Sequence, residues 1–144
     1  MAEPGRTGQV LLDTGPLVAL LSSDDDNHDR CRAELGSLRN RPITCWPVLT
    51  EAAWLLRARK VALERLLDNV DTGMFEVAEL PRTCGRWLSS FVMRYHDVGV
   101  QLADAALVLL AETLDLDTVF TLDRRDFSVY RTTDGRALKI IPFA

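Results

Sequence analysis

Short apolar segments alternate with longer helix-forming runs along almost the whole chain, and this alternation restricts the fold more than any other feature. Segment 9–12 (QVLL) reads as a strand that stops at Asp13-Thr14-Gly15, after which Pro16, suited to a first helical turn, opens the run PLVALLS. Downstream, 43–46 (ITCW), 74–80, 118–122 and 137–141 read as strands, while 27–38, 48–59, 62–70, 81–96 and 102–114 read as helices. Asp24, Asp25 and Asp26 offer an N-cap to the 27–38 helix. The Asp134-Gly135 turn is expected to form a hairpin between the last strand and the segment near Val129. Short apolar strands separated by helices imply a mostly parallel sheet covered on both faces.

No repeat, low-complexity tract or linker divides the 144 residues, so a single domain over 1–144 is expected, with 1–7 as a flexible N-terminal segment. At 47% apolar residues the chain can build a real core, since a chain of about 150 residues buries roughly two-thirds of its unfolded surface. Its three cysteines (Cys31, Cys45, Cys84) form no C-x-x-C pair, which excludes a disulfide framework or a cysteine zinc finger and leaves them as small core residues. No apolar stretch approaches the ~20 residues that cross a bilayer, and no basic, then apolar, leader opens the chain. The expectation is a soluble cytoplasmic protein without a membrane partner. Seventeen basic against 21 acidic residues give a formal charge of −4, which argues against broad coating of nucleic acid.

Four acids stand where a soluble protein does not ordinarily put them. Asp13 follows the apolar VLL at the carboxyl end of a strand, the edge where open α/β sheets bind ligands, and Asp123 repeats that placement after VFTL. Glu51 has Val48, Trp54, Leu55 and Ala58 as same-face helical neighbours, and Asp104 interrupts the stripe of Leu107, Val108 and Ala111. A carboxylate in such a stripe must shift its pKa, find a cation or bind a metal. Neither Glu51 nor Asp104 has Lys or Arg on its own helical face, so a cation from solvent is the economical answer. Ligation by oxygen alone selects a hard ion, Mg²⁺ or Mn²⁺, over zinc. Taken singly, each acid also reads as an ordinary turn, cap or first-turn residue; the combination is what points to a site.

The segments LLDTGPLVALL, TEAAWLL, LADAALVLLAE and TLDRRDFSVY resemble, in order and spacing, the four acidic motifs of PIN-domain nucleases, most closely the VapC-like ribonucleases of toxin–antitoxin pairs. The resemblance runs from about residue 9 to the last strand. It implies a three-layer α/β/α sandwich around about five short strands. It also implies catalytic, metal-binding carboxylates at Asp13, Glu51, Asp104 and Asp123. Thr121 falls on a hydroxyl position that supports the last acid, and Asp126 is the candidate for an additional acid, although it reads first as structural.

Such a metal site implies hydrolysis of an RNA phosphodiester to 5′-phosphate and 3′-hydroxyl ends, with no catalytic histidine. This suits a chain whose only histidines are His28 and His96, both read as surface residues. Arg124 and Arg125, next to Asp123, are the first candidates to hold RNA phosphates; Arg57, Arg59 and Lys60 come second, because cations also complement a helix end. The resemblance further implies a homodimer and a small antitoxin partner, with Trp46, Trp54 and Trp87 open between interface and core. D-T-G also occurs in aspartic proteases, but those need two such motifs or a dimer of a β-rich fold. A non-catalytic PIN-like module binding RNA or protein, and a phosphatase acting on small phosphomonoesters, stand as alternatives. Setting the four acids aside leaves 17 acidic residues against 17 basic ones, so the proposed ligands account for the whole negative excess.

Overall fold

The computed structural model describes residues 8–143. Strand β1 (Leu11–Leu12) leads into α1 (Thr14–Leu21) and α2 (His28–Ser37), and β2 (Ile43–Thr44) into α3 (Trp46–Leu55) and α4 (Lys60–Thr72). Then come β3 (Glu76–Val77), α5 (Gly85–Arg94), a 3₁₀ turn (His96–Val98), α6 (Leu102–Thr113), β4 (Thr118–Phe120), α7 (Arg124–Val129) and β5 (Lys139–Ile141). The strands form one sheet in the order β3-β2-β1-β4-β5, and every pairing is parallel. Connections stepping toward β3 carry α1 to α4 and those stepping back toward β5 carry α5 to α7. Right-handed crossovers therefore set the two groups on opposite faces, which is the expected α/β/α layering.

Strand β1 is the centre of the sheet, where Leu11 pairs with Ile43 on one side and Val119 on the other. Covered on both faces, Leu11, Leu12, Ile43, Val119 and Phe120 are fully buried. This explains why the strands are apolar runs rather than alternating patterns. Helix α6 is buried at every position from 105 to 111, as its nearly uniform apolar sequence requires.

The chain departs from the sequence expectations where tertiary pairing decides. The hairpin near Val129 does not form: Val129 ends α7, the 132–136 segment makes only a local turn, and β5 joins β4 in parallel. Helix 81–96 shortens to α5, because residues 81–84 form a turn and a 3₁₀ segment follows, closed by Gly99 at φ 84°. That left-handed conformation is one glycine adopts without strain. The acids at 24–26 do not cap α2; Asn27 is its N-cap, and Asp25 instead accepts the Asn27 N–H at 2.8 Å in the preceding turn. Helix α3 begins and ends earlier than 48–59, so Arg57 and Arg59 lie in the α3–α4 connection and Lys60 opens α4. The N-terminal segment 1–7, expected to be flexible, lies outside the described residues. No helix among the described residues is long and apolar enough to cross a membrane.

Leu107 is fully buried in α6, whereas Val61 on α4 is 71% exposed. Truncating Leu107 to Ala should cost about 2–5 kcal/mol in chemical denaturation, against less than about 0.5 kcal/mol for Val61→Ala. Equal losses would contradict the placement of α6 inside the sandwich.

Candidate active site

In the order β3-β2-β1-β4-β5 the chain reverses direction at β1 and β4, and the crevice beyond their carboxyl ends is where an open α/β sheet holds a ligand. Asp13 follows β1, its N–H donating to the Phe120 carbonyl at 3.0 Å, and Asp123 follows β4 three residues after Phe120. Helix α3, packed against α6, supplies Glu51, and the first turn of α6 supplies Asp104. Asp13, Glu51, Asp104, Asp123 and Asp126 line one cavity of about 380 Å³ together with Thr14, Gly15, Gly99, Gln101 and Leu122. No lysine or arginine is among these lining residues.

Asp13 is the most buried of the five, only 6% exposed. Thr121 Oγ1 donates to its Oδ2 at 2.6 Å, and the same hydroxyl accepts the Asp123 N–H at 3.0 Å. One threonine thus ties the two strand-end acids together. Sequence reading assigned Thr121 to the last acid; its side chain serves the first, and touches the last only through the backbone. Desolvation pushes the Asp13 carboxyl up to about 7, opposed by the Thr121 hydrogen bond and reinforced by the charges of Asp104 and Glu51.

Asp104 is less buried and is pushed up to about 6, again chiefly by desolvation, with Asp123 and Glu51 adding repulsion. Tyr130 opposes that shift by donating its hydroxyl to Asp104 Oδ2 at 2.8 Å. Tyr130 is itself buried against Phe91, Tyr95 and Phe127, with ring centroids 5.2–5.4 Å away. Its role was not legible in the sequence, where the only signal was an aromatic residue closing the RRDFSVY segment. Thr14 and Gln101 were missed likewise. Thr14 Oγ1 is buried and makes no hydrogen bond among the described residues, which marks the cavity wall as short of one polar partner.

The expected apolar surroundings of Glu51 are only half right. Val48 is buried, but Trp54 and Leu55 are 64% and 53% exposed, so Glu51 sits where the α3 surface turns from core to solvent. Asp123 is exposed and caps α7 by accepting the Asp126 N–H at 3.1 Å. Asp126 therefore has a structural part through its backbone, yet its carboxyl also lines the cavity, where desolvation and then Asp123 raise its pKa. Among the described residues no three ligating side chains already close on a single point, so the acids line a cavity rather than form a finished shell.

The arginines next to Asp123 do not line the cavity. Arg124 donates to the Pro142 carbonyl at 2.7 Å and so secures the chain after β5, while Arg125 is exposed. Arg57 stacks over Trp54 and Arg59 pairs with Asp24, so both have structural employment. His28 is not a plain surface residue, since its Nδ1 meets the Ala19 carbonyl at 2.7 Å; His96 is exposed.

The raised pKa values set a pH dependence. An unfolded aspartate titrates near 3.8, so the folded metal-free chain holds these protons more tightly and loses that stability as pH rises from about 4 to about 7. In EDTA, the fall in melting temperature between pH 5 and pH 8 should be smaller in Asp13→Asn than in the wild type. Equal falls would show that Asp13 does not titrate in that window.

The family model for the PIN domain matches residues 10–132. A curated relative, Ribonuclease VapC26 of Mycobacterium tuberculosis (strain ATCC 25618 / H37Rv), is 27% identical over 136 residues, covering 92% of this chain and all of that protein. The crystal structure of Mycobacterium tuberculosis VapC20, titled a Sarcin-Ricin loop cleaving toxin, superposes with a TM-score of 0.74 at 17% identity. That superposition covers 81% of this chain and 92% of the other, and carries the fold alone. With the family match spanning most of the sequence, the chain belongs to the PIN domain family.

Proposed function

We propose that this chain is a divalent-metal-dependent endoribonuclease that hydrolyses RNA phosphodiesters to 5′-phosphate and 3′-hydroxyl ends, and that it is the toxin of a type II toxin–antitoxin pair. The observation that carries this reading is the cavity at the β1/β4 crevice, lined among the described residues by five carboxyl groups and no lysine or arginine. The likeness to a relative named a ribonuclease supports it.

The donor set fits a hard cation. It is all oxygen, two of its carboxyls are held above their ordinary pKa by burial and mutual repulsion, and a buried threonine hydroxyl beside them makes no hydrogen bond among the described residues. Asp13, Glu51, Asp104 and Asp123 would hold Mg²⁺ or Mn²⁺. When bound, the ion neutralises charge on the phosphate and makes hydroxide available near neutral pH. The chain's own contribution is positioning. Thr121 fixes Asp13 by donating to its Oδ2, and Tyr130 fixes Asp104 in the same way. In the reaction, the water oxygen bonds to phosphorus, the bond from phosphorus to the 3′ oxygen breaks, and the departing oxygen is protonated. No 2′-hydroxyl nucleophile is needed.

The proposed assembly is a single domain acting in the cytoplasm as a homodimer inhibited by a small antitoxin protein. Support for a protein partner comes from Trp46, Trp54 and Leu55 on α3, each more than half exposed.

Asp13→Asn or Asp104→Asn should abolish RNA cleavage while leaving a cooperative melt, and EDTA should abolish it in the wild type, with Mg²⁺ or Mn²⁺ restoring it. Sequenced ends should carry 5′-phosphate and 3′-hydroxyl groups. Cleavage that persists in both variants or in EDTA would overturn the reading, and RNA binding without any cleavage would favour the non-catalytic module. Thr121→Val and Tyr130→Phe, which remove only the supporting hydroxyls, should each lower the cleavage rate about 10–100-fold. A change below twofold in both would show that neither hydroxyl orients its acid.

A further inference from the structure

The acids that could hold a metal repel RNA before it binds, and the arginines beside Asp123 do not line their cavity. A second cavity, of about 420 Å³, has the opposite character. It lies between α5 and the segment after α7, and its lining includes Arg86, Arg94, Arg131, Trp87 and Phe91, with no acid among the described residues. Arg86 and Arg94 are exposed and make no hydrogen bond or ion pair among the described residues, and the Arg94 guanidinium lies 5.4 Å from the Tyr95 ring centroid. Arg131 donates to the Ser128 and Tyr130 carbonyls at 2.7 and 2.8 Å, so its guanidinium is held in place with donors to spare. Trp87 is half-buried, stacked on Phe91 at 5.1 Å and 12°, and its Nε1 donates to Glu112 at 3.1 Å. Glu112 also accepts from the N–H and hydroxyl of Thr133, so its oxygens are engaged by neutral donors of the wall.

Tyr130 joins this cavity to the carboxylate one. Its hydroxyl bonds Asp104, and its ring packs 5.4 Å from Phe91, which lines the arginine cavity. A single side chain, Tyr130, therefore touches a lining residue of each cavity.

We propose that the arginine cavity is a binding subsite for single-stranded RNA, in which Arg86, Arg94 and Arg131 hold backbone phosphates and Trp87 offers a face to a base, while a neighbouring phosphodiester lies in the carboxylate cavity. Cations beside an aromatic ring are what a flexible strand with π-faced bases requires. An acidic peptide would use the cations but would leave the aromatic face without a matching group, so RNA is the favoured occupant. The subsite rests on the ribonuclease reading, and its test separates the two.

Binding is measured in the full chain carrying Asp13→Asn, which suppresses cleavage, with a labelled mixed-sequence single-stranded RNA. Adding Arg86→Glu and Arg94→Glu should raise Kd at least about tenfold and flatten its salt dependence. Arg39→Glu with Arg65→Glu, the same charge change outside the lining, should have a much smaller effect. In the chain with intact Asp13, the Arg86→Glu/Arg94→Glu pair should raise KM and leave kcat within about twofold. With Trp46 and Trp54 replaced by Phe, RNA should quench the remaining Trp87 fluorescence, and inorganic phosphate should not. If wild-type protein cuts RNA but charge reversal leaves KM and Kd unchanged, the subsite is overturned and the ribonuclease reading stands. If RNA quenches Trp87 but is never cut, the subsite stands and the ribonuclease reading fails. Binding of an acidic peptide at this cavity, with no quenching by RNA, would also overturn the subsite.

Discussion

The parallel pairing of β1 with β4 is the contact on which both the fold and the site depend. It joins segments 108 residues apart at the Thr121–Asp13 bond. Until that pairing forms, Asp13 is a polar residue after a two-residue apolar strand and Thr121 is another. Once it forms, the Asp13 N–H completes the ladder with Phe120, and the Thr121 hydroxyl reaches one carboxylate oxygen and the Asp123 N–H. The chain reverses its stepping direction at this pair of strands, so the crevice beyond them is the natural place for a site. Helices α3 and α6, packed on each other, bring Glu51 and Asp104 to the same opening.

Electrostatics then divides the molecule. Among the described residues, five carboxyl groups share one cavity with no cationic side chain in its lining, and burial and mutual repulsion push Asp13 up to about 7 and Asp104 up to about 6. Hydrogen bonds from Thr121 and Tyr130 moderate this strain without removing it. Beyond Tyr130 lies a cavity whose charged lining, among the described residues, is arginine. A small net charge of −4 therefore conceals two local fields of opposite sign, separated by a packed aromatic cluster. Average charge describes solubility; the partition of charge describes the site.

How much of this was legible in the residues depended on whether the signal was local. Strands 9–12 and 118–122 and the apolar helix 102–114 could be read because burial on every side leaves an uninterrupted apolar run. The acids were legible for the converse reason, since Asp104 is conspicuous in an apolar stripe. The hairpin near Val129 failed because Asp134-Gly135 looks the same in a local turn as in a hairpin, and only β4 could decide where β5 pairs. Tyr130 could not be assigned because its partner Asp104 lies 26 residues away on another helix. Arg124 adjoins Asp123 in the sequence, but its hydrogen bond to the Pro142 carbonyl, 18 residues away, follows only from β5 pairing with β4.

The sequence by itself determined that this chain forms a parallel α/β sheet and carries acids in positions that burial makes costly, because apolar patterning and misplaced charge are properties of neighbouring residues. Tertiary structure alone decided which hydroxyls hold those acids, which arginines remain available, and that α3 presents Trp54 and Leu55 to solvent rather than to the core. The physical reason is the same in each case. A hydrogen bond of 2.6–2.8 Å between groups far apart in the chain exists only when the packing of whole elements has set their separation, and no local pattern encodes that distance.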